Sequence, residues 1–298
     1  MRMQKSSSSG AFCVALVSVM LLAGAGAFGQ SVSPEKSCAE LRADPDQFHK
    51  CAIARAATFS PRRTSDGHPD LRGFWGRTLN SYDLEDHPAS FMIRAQKSMV
   101  VDPADGKIPY QAWAIPQRNK NAATYVDPNS LCRLSGVPRT TGYMSDRILL
   151  HQSPDYVAFL SGDHGYRIVS MKDVPHVGQD IRLWNGDARG RWDGNTLVID
   201  VANQNGKTWF DIAGNFASES VHVTERLTLI DANTIHYQAT IDDPKVFTRP
   251  WTIAAALVRN ASDDKELWLE ECYEGEQSSK RLLSTHGRYP GYSIAVGR

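Results

Sequence analysis

Residues 221–241 read VHVTERLTLIDANTIHYQATI, and this stretch decides the fold class. Apolar and polar residues alternate on both sides of Asp231-Ala232-Asn233, which is the pattern of two half-buried strands. A short polar break between two such runs is typical of a hairpin turn. The stretch therefore predicts two antiparallel strands that follow one another directly.

Similar strand-like runs, separated by short turns, fill the second half of the chain. With the two runs of the hairpin, they lie at 147–152, 156–160, 166–171, 196–201, 221–230, 234–241, 251–258 and 267–273. Trp192-Asp193-Gly194-Asn195 supplies a second clear turn, because Asp-Gly suits a tight two-residue connection. An antiparallel sheet loses both of its edges only when it closes on itself. We therefore predict a mainly β protein, an antiparallel meander closing into an up-and-down barrel, with a two-sheet sandwich as the alternative.

The first half of the chain has a different character. Residues 61–146 are rich in turn formers such as Asp66-Gly67, and long irregular segments in compact domains wrap a core or line a pocket. Ahead of them, Ser33-Pro34 marks a helix start, so residues 30–60 are predicted to form a short helical appendage. A single barrel domain is expected at 61–298, including the irregular wrap at 61–146.

The N-terminus has the layout of a secretory signal. Arg2 and Lys5 precede an apolar stretch at 11–27, and small residues follow where a signal peptidase cuts, after Ala27 or just before Gln30. A membrane anchor is the alternative, but the apolar core is shorter than the ~20 residues that a bilayer requires. We expect a signal peptide at 1–29 and a periplasmic or secreted mature protein with no membrane span.

Charge and cysteine content limit which partners the protein is expected to bind and which cellular compartment it is expected to occupy. The chain has 33 basic and 33 acidic residues, interspersed, so no nucleic-acid or anionic-membrane partner is expected. After the signal four cysteines remain, Cys38, Cys51, Cys132 and Cys272, and an even number in an exported chain allows disulfides. Of the three pairings, we favour the local pair Cys38–Cys51 with Cys132–Cys272, and four buried thiols are an equal alternative.

Five short motifs stand out along the chain. They are DGHPDLRGFW at 66–75, DGKIPY at 105–110, GRWDGNTLVID at 190–200, HVTER at 222–226, and TRPWT at 248–252 after an Asp-Pro pair. Together they resemble a large family of exported bacterial proteins. The resemblance covers nearly all of the mature chain and implies export, but no particular activity. The segment Gly73-Phe74-Trp75 is also similar to the Gly-x-Trp opening strand of lipocalin-like barrels, which supports the barrel prediction.

Glu225 is the most informative polar residue. On its strand it shares a face with Val223 and Leu227, and an acid on an apolar face must be paired or neutral. On a later strand Arg249 alternates with Trp251, and arginine binds carboxylates in bidentate fashion. We therefore predict a buried Glu225–Arg249 pair. A purely structural ion pair in the core is the alternative.

Further residues complete a predicted interior pocket. Glu271 and Tyr273 share a face of the last strand, and Trp251, Asp200 and Trp192 are placed where they would line the same interior. A few polar groups among apolar and aromatic walls are typical of a small-molecule site. His164, in a turn, is a candidate general base, although most turn histidines are simply solvated.

No familiar metal or cofactor motif accompanies these residues. The chain lacks C-x-x-C, H-E-x-x-H, G-x-S-x-G and a phosphate-binding glycine loop, so we expect neither a metal nor a cofactor. The leading interpretation is a protein that holds a small apolar or aromatic molecule in the barrel interior. It would act as a cofactor-independent lyase or isomerase, with Glu225 or His164 as base and Arg249 stabilising negative charge. A non-catalytic envelope carrier and a structural interaction protein are the alternatives.

Overall fold

The computed structural model describes residues 37–90, 93–125, 127–144, 147–162, 165–260 and 266–267. The predicted signal peptide at 1–29 lies outside these ranges, and so does the predicted strand at 267–273 apart from Leu267. Within them, no helix is long and apolar enough to cross a membrane.

Ten strands form one sheet that closes into a barrel. They are β1 Gly73–Arg77, β2 Val100–Asp102, β3 Ile148–Gln152, β4 Tyr156–Ser161, β5 Gly165–Ser170, β6 Asp187–Asp193, β7 Thr196–Ala202, β8 His222–Asp231, β9 Thr234–Asp242 and β10 Trp251–Arg259. Nine strands close in the order β1-β3-β4-β5-β6-β7-β8-β9-β10, because β10 pairs with β1 as well as β9. β2 adds to β10 as an extra strand. The predicted mainly β barrel is confirmed.

The two turns read from the sequence are both present. β8 and β9 pair antiparallel from His222↔Asp242 to Asp231↔Thr234. The β6–β7 hairpin turns after Asp193, where Gly194 adopts φ +59°, a left-handed conformation that glycine takes without steric cost. β6 was not predicted as a strand, because its sequence DARGRWD lacks regular alternation.

The barrel wall has one weak seam, between β5 and β6. These neighbours run parallel and share one bridge, Ser170↔Arg189, whereas the other adjoining strands of the described sheet pair antiparallel. A parallel pair requires a crossover connection, which here is the loop at 171–186. Part of this loop lies over the outer face of β6 and β7, where His176 contacts both strands.

The barrel interior is filled in part by the irregular wrap. Residues 135–143 are all buried and lead into the helical turn Thr140–Met144. Gly142 lies against the ring of Tyr237, so close that a Cβ at this position would stand 2.4 Å from Cε1. Only glycine fits there without displacing the ring. The wrap is therefore a part of the core as well as a covering.

In the part of the chain that the structure describes, two α-helices and three short helical turns accompany the barrel. The helices are α1 Pro45–Ala56 and α2 Ala114–Thr124, and the turns are Cys38–Leu41, Pro128–Leu131 and Thr140–Met144. α1 begins at a proline after Asp44, whose side chain accepts a backbone N–H of the first turn. Its buried Phe48 and Ala52 pack on Ile230 and Ala256 of the sheet. A helical segment was predicted here.

A disulfide joins Cys38 to Cys51. It ties the turn Cys38–Leu41 to α1, which is the local pair that the sequence predicted. Cys132 is also disulfide-bonded, and Cys272, its predicted partner, lies outside the described residues.

Candidate functional site

A buried carboxylate lies in the barrel interior, as predicted. Glu225 is fully buried on the inward face of β8. Its Oε2 accepts from Nη2 of Arg167 at 2.5 Å, and its Oε1 accepts from the hydroxyl of Tyr237 at 2.8 Å. The other terminal nitrogen of Arg167 donates to the hydroxyl of Thr141 at 2.7 Å. The cluster therefore joins β5, β8 and β9 to the inserted wrap.

Arg249 is not the partner of Glu225, so the predicted pair was wrong. Its guanidinium lies outside the barrel and donates to both carboxylate oxygens of Asp102, at 3.0 and 2.8 Å. Pro250 separates Arg249 from β10, so the alternation of the strand does not extend back to it. Arg167 was missed, although it alternates with a buried valine on the inward face of β5.

The interior cluster has the geometry of a structural ion pair. Both oxygens of Glu225 are bonded to protein groups, and its side chain has no exposure to solvent. Burial and the neighbouring carboxylate hold the pKa of Tyr237 well above its usual range. Trp251, predicted to line a pocket, packs edge-to-face against Phe210 and Phe247 in the core. These contacts favour the structural alternative that the sequence left open.

A second polar site lies on the outer side of the barrel wall, in a cleft of about 850 Å³ at the β5–β6 seam. We call it the wall cleft. It is lined by Asp66, His68 and Pro154, by segments 171–174 and 189–192, and by Val198, Asp200 and Thr224. Three of the sequence motifs, DGHPDLRGFW, GRWDGNTLVID and HVTER, meet in this cleft.

One side of the wall cleft is aromatic. The ring of Trp192 stacks on the ring of His68, with centroids 5.0 Å apart and planes 7° from parallel. Arg63 fixes this arrangement, because it donates to the carbonyl of Gly67 and to the side chain of Asn195, both at 2.7 Å. The turn that carries His68 is thereby bound to the hairpin that carries Trp192. Trp192 lines this cleft and also packs against the interior core, because it lies opposite the buried Leu197 of β7.

A network of histidines and carboxylates borders the cleft. Nε2 of His222 contacts one oxygen of Asp200 at 2.7 Å, and Nε2 of His176 contacts the other at 2.8 Å. Nδ1 of His176 contacts Asp187 at 3.0 Å. Asp200 was predicted to face the same interior as Glu225, which is wrong. Its opposite residue in β8 is Thr224, one position out of phase with Glu225, so it faces outward.

One member of this network could be placed from the sequence. Alternation along β8 already assigned His222 to the face opposite Glu225, but no partner for it was foreseen. His176 lies in the loop at 171–186, where no periodicity predicts which side chains meet the barrel. Within the described residues, no three His, Cys, Asp or Glu side chains are grouped so as to hold a metal ion.

The charged residues of the wall cleft differ in whether they already bond to other protein groups. Arg189 donates to Asp187 at 2.7 Å and to a backbone carbonyl, so it is neutralised. Asp66 accepts from the hydroxyl of Thr64, and this hydrogen bond lowers the pKa of Asp66. Lys172 and Arg191 line the cleft and form no ion pair with any described residue. They are the two cations available to a ligand.

A third titratable centre lies under the wrap, away from the wall cleft. Asp211 is fully buried, and Oδ2 accepts from the backbone N–H of Leu84 at 2.8 Å and from the amide of Asn215 at 2.6 Å. Burial, followed by the charge of nearby Asp83, raises the pKa of Asp211 to about 8 despite these donors. Asp83 itself pairs with Arg118 at 2.9 Å. No sequence pattern pointed to this group.

Three predicted site residues, His164, Glu271 and Tyr273, lie outside the described residues, and their roles stay predictions. Comparison of the chain with protein-family models, with curated proteins and with solved structures finds no match. What the protein does must therefore follow from the chemistry of its own residues.

Proposed function

We propose that this is an exported protein that binds a small molecule with a flat apolar or aromatic part in the wall cleft. The observation that carries the proposal is the meeting of three separate sequence motifs around one cavity, closed on one side by the stacked rings of Trp192 and His68. A volume of about 850 Å³ is within the range of small-molecule sites in proteins.

The composition of the cleft fits such a ligand. Met171, Val174 and Val198 supply apolar surface beside Trp192, and charged groups stand among them. Apolar walls with a few polar groups are the usual construction of a binding site, since the walls supply affinity and the polar groups set orientation. The indole of Trp192 offers a broad flat surface for a ring.

Replacing Trp192 is expected to weaken ligand binding. Anilinonaphthalene sulfonate, a flat apolar anion, is a suitable probe, with its dissociation constant measured by isothermal titration calorimetry. Trp192→Ala removes the stacking surface, and we expect Kd to rise at least tenfold, which corresponds to about 1.4 kcal/mol.

Trp113→Ala is the matched control. This tryptophan is 55% exposed, bonds the carbonyl of Lys245 and does not line the cleft. Its replacement should leave Kd unchanged. An equal loss in both variants, or no loss in Trp192→Ala, would show that the probe binds elsewhere. Native mass spectrometry of protein taken from its own cell envelope would then identify the natural ligand by mass.

Export is supported by the disulfide between Cys38 and Cys51, since such bonds persist mainly in oxidising compartments. We expect N-terminal sequencing of the accumulated protein to find a first residue between Phe28 and Ser33. Retention of Met1 on the mature protein would contradict export through a cleaved signal.

A further inference from the structure

We propose that the wall cleft is a proton-transfer site in which His222 is the general base and then the general acid. The inference rests on the proposed function, because it requires a ligand in the cleft. It assigns the acid–base role to a residue that the sequence interpretation had not chosen. Glu225 is fully buried in the barrel interior and does not line the cleft, so it is out of reach of a ligand bound there.

The position of His222 suits this role. It lies on the outward face of β8, two residues before Thr224, and its partner Asp200 lines the cleft directly. Its side chain is 44% exposed. It therefore adjoins the cleft through Asp200, and nearly half of its side chain is exposed.

The contact with Asp200 leaves one ring nitrogen of His222 open. Nε2 of His222 lies 2.7 Å from Oδ1 of Asp200, at ion-pair distance. Nδ1 forms no hydrogen bond with any described residue. An imidazole beside a carboxylate, with a ring nitrogen open to a bound molecule, is an arrangement used in general acid–base catalysis.

The other members of the histidine–carboxylate network hold Asp200 in place as a positioning residue. Its second oxygen bonds Nε2 of His176, and Nδ1 of His176 bonds Asp187. Arg189 in turn bonds the other oxygen of Asp187 at 2.7 Å. Each oxygen of Asp200 thereby contacts a histidine, and the contact with His176 helps to hold the carboxylate beside His222.

The chemistry that fits is isomerisation of a carbonyl compound with an acidic C–H beside the carbonyl. Nδ1 of His222 takes the proton, the C–H electron pair forms a C=C bond, and the carbonyl π pair moves to oxygen as an enolate. The cations Lys172 and Arg191, which line the cleft, stabilise that negative charge. Nδ1 then returns the proton to the enolate oxygen or to another carbon. Atoms and electrons balance without an added reactant.

Phenylpyruvate is a suitable probe, because it joins an aromatic ring, an anionic group and an acidic C–H beside a carbonyl. Exchange of its benzylic hydrogens in heavy water is followed by proton NMR, with binding measured in parallel by calorimetry. We expect the mature wild-type protein to accelerate exchange above the buffer rate. His222→Gln should lower the rate about a hundredfold or more, within the usual range for general acid–base catalysis.

Two further variants separate a catalytic role from a structural one. Asp200→Asn should lower kcat about tenfold or more and change KM much less, because the isosteric amide fills the same part of the cleft wall but no longer offers a carboxylate to His222. His151→Gln is the matched control, because His151 is an exposed histidine on β3 that stacks on Tyr156 and bonds no acid among the described residues. It should keep the full rate.

Each outcome bears on one of the two proposals. Binding of phenylpyruvate without faster exchange, or exchange that survives His222→Gln, overturns the proton-transfer site and leaves the binding function intact. Binding of anilinonaphthalene sulfonate at Trp192 with no binding or exchange of phenylpyruvate also overturns it. Failure of both probes to bind overturns both proposals.

Discussion

Removing either partner of the buried Glu225–Arg167 pair is expected to lower the free energy of unfolding by about 3–5 kcal/mol. Both side chains are almost completely buried, at 0% and 3% exposure. Glu225→Gln leaves the guanidinium uncompensated, and Arg167→Met leaves the carboxylate with only Tyr237 as a donor. Urea denaturation followed by tryptophan fluorescence measures the loss in each variant.

The double variant tests the coupling between the two residues. Glu225→Gln with Arg167→Met should cost less than the sum of the single variants, because close partners in one network are non-additive. Arg249→Met is the control, since its ion pair with Asp102 lies on the surface and its loss should not shift the urea midpoint measurably. Additive losses would mean that Glu225 draws its stabilisation from other groups. A loss in the control equal to that in Arg167→Met would restore Arg249 as a structural partner.

The stability of the protein is expected to fall as the pH rises from about 4 to about 8 through the titration of Asp211. The pKa of this carboxyl is raised to about 8 in the folded protein by burial and by the charge of Asp83, whereas an unfolded aspartate titrates near ~3.9. Between these values the folded state holds a proton that the unfolded state has lost. The contribution of Asp211 is therefore fully present below the lower value and lost as the pH passes the upper one, a change of several kcal/mol.

Asp211→Asn should remove this part of the pH dependence. Guanidinium denaturation between pH 5 and 9 is expected to give a flatter profile for the variant, which becomes more stable than the wild type above pH 8. Asp83→Asn serves as a second variant, because removing the neighbouring charge should move the titration to lower pH. Parallel profiles for wild type and Asp211→Asn would show that the folded state ionises Asp211 at low pH.

The strands could be predicted wherever a sheet buries one face and exposes the other. Alternation along β8 located Glu225 on the buried face correctly, and tight-turn residues located two hairpins. The prediction failed at Arg249, because β10 begins only after Pro250, although the alternating pattern extends back to Arg249. It failed at Asp200 because the face of β7 depends on its register with β8, which a single strand does not reveal.

The wall cleft could not be predicted in the same way. Its residues come from a turn, a crossover loop and two strands, and loops carry no periodicity that says which side chains meet. The ion pair inside the barrel could not be predicted either. Its members, Arg167 and Glu225, are distant in sequence, and only barrel closure brings them together. What the sequence did contain were the motifs that surround Trp192 and His68.

The single bridge between β5 and β6 has a consequence for selectivity. Strand pairs held by few backbone hydrogen bonds separate at lower free energy than the rest of a sheet, so local breathing concentrates at this seam. A recess built over such a seam can widen while the antiparallel remainder of the barrel stays closed. The protein should therefore tolerate ligands of different thickness, and discriminate among them chiefly by where each one carries its negative charge relative to Lys172 and Arg191.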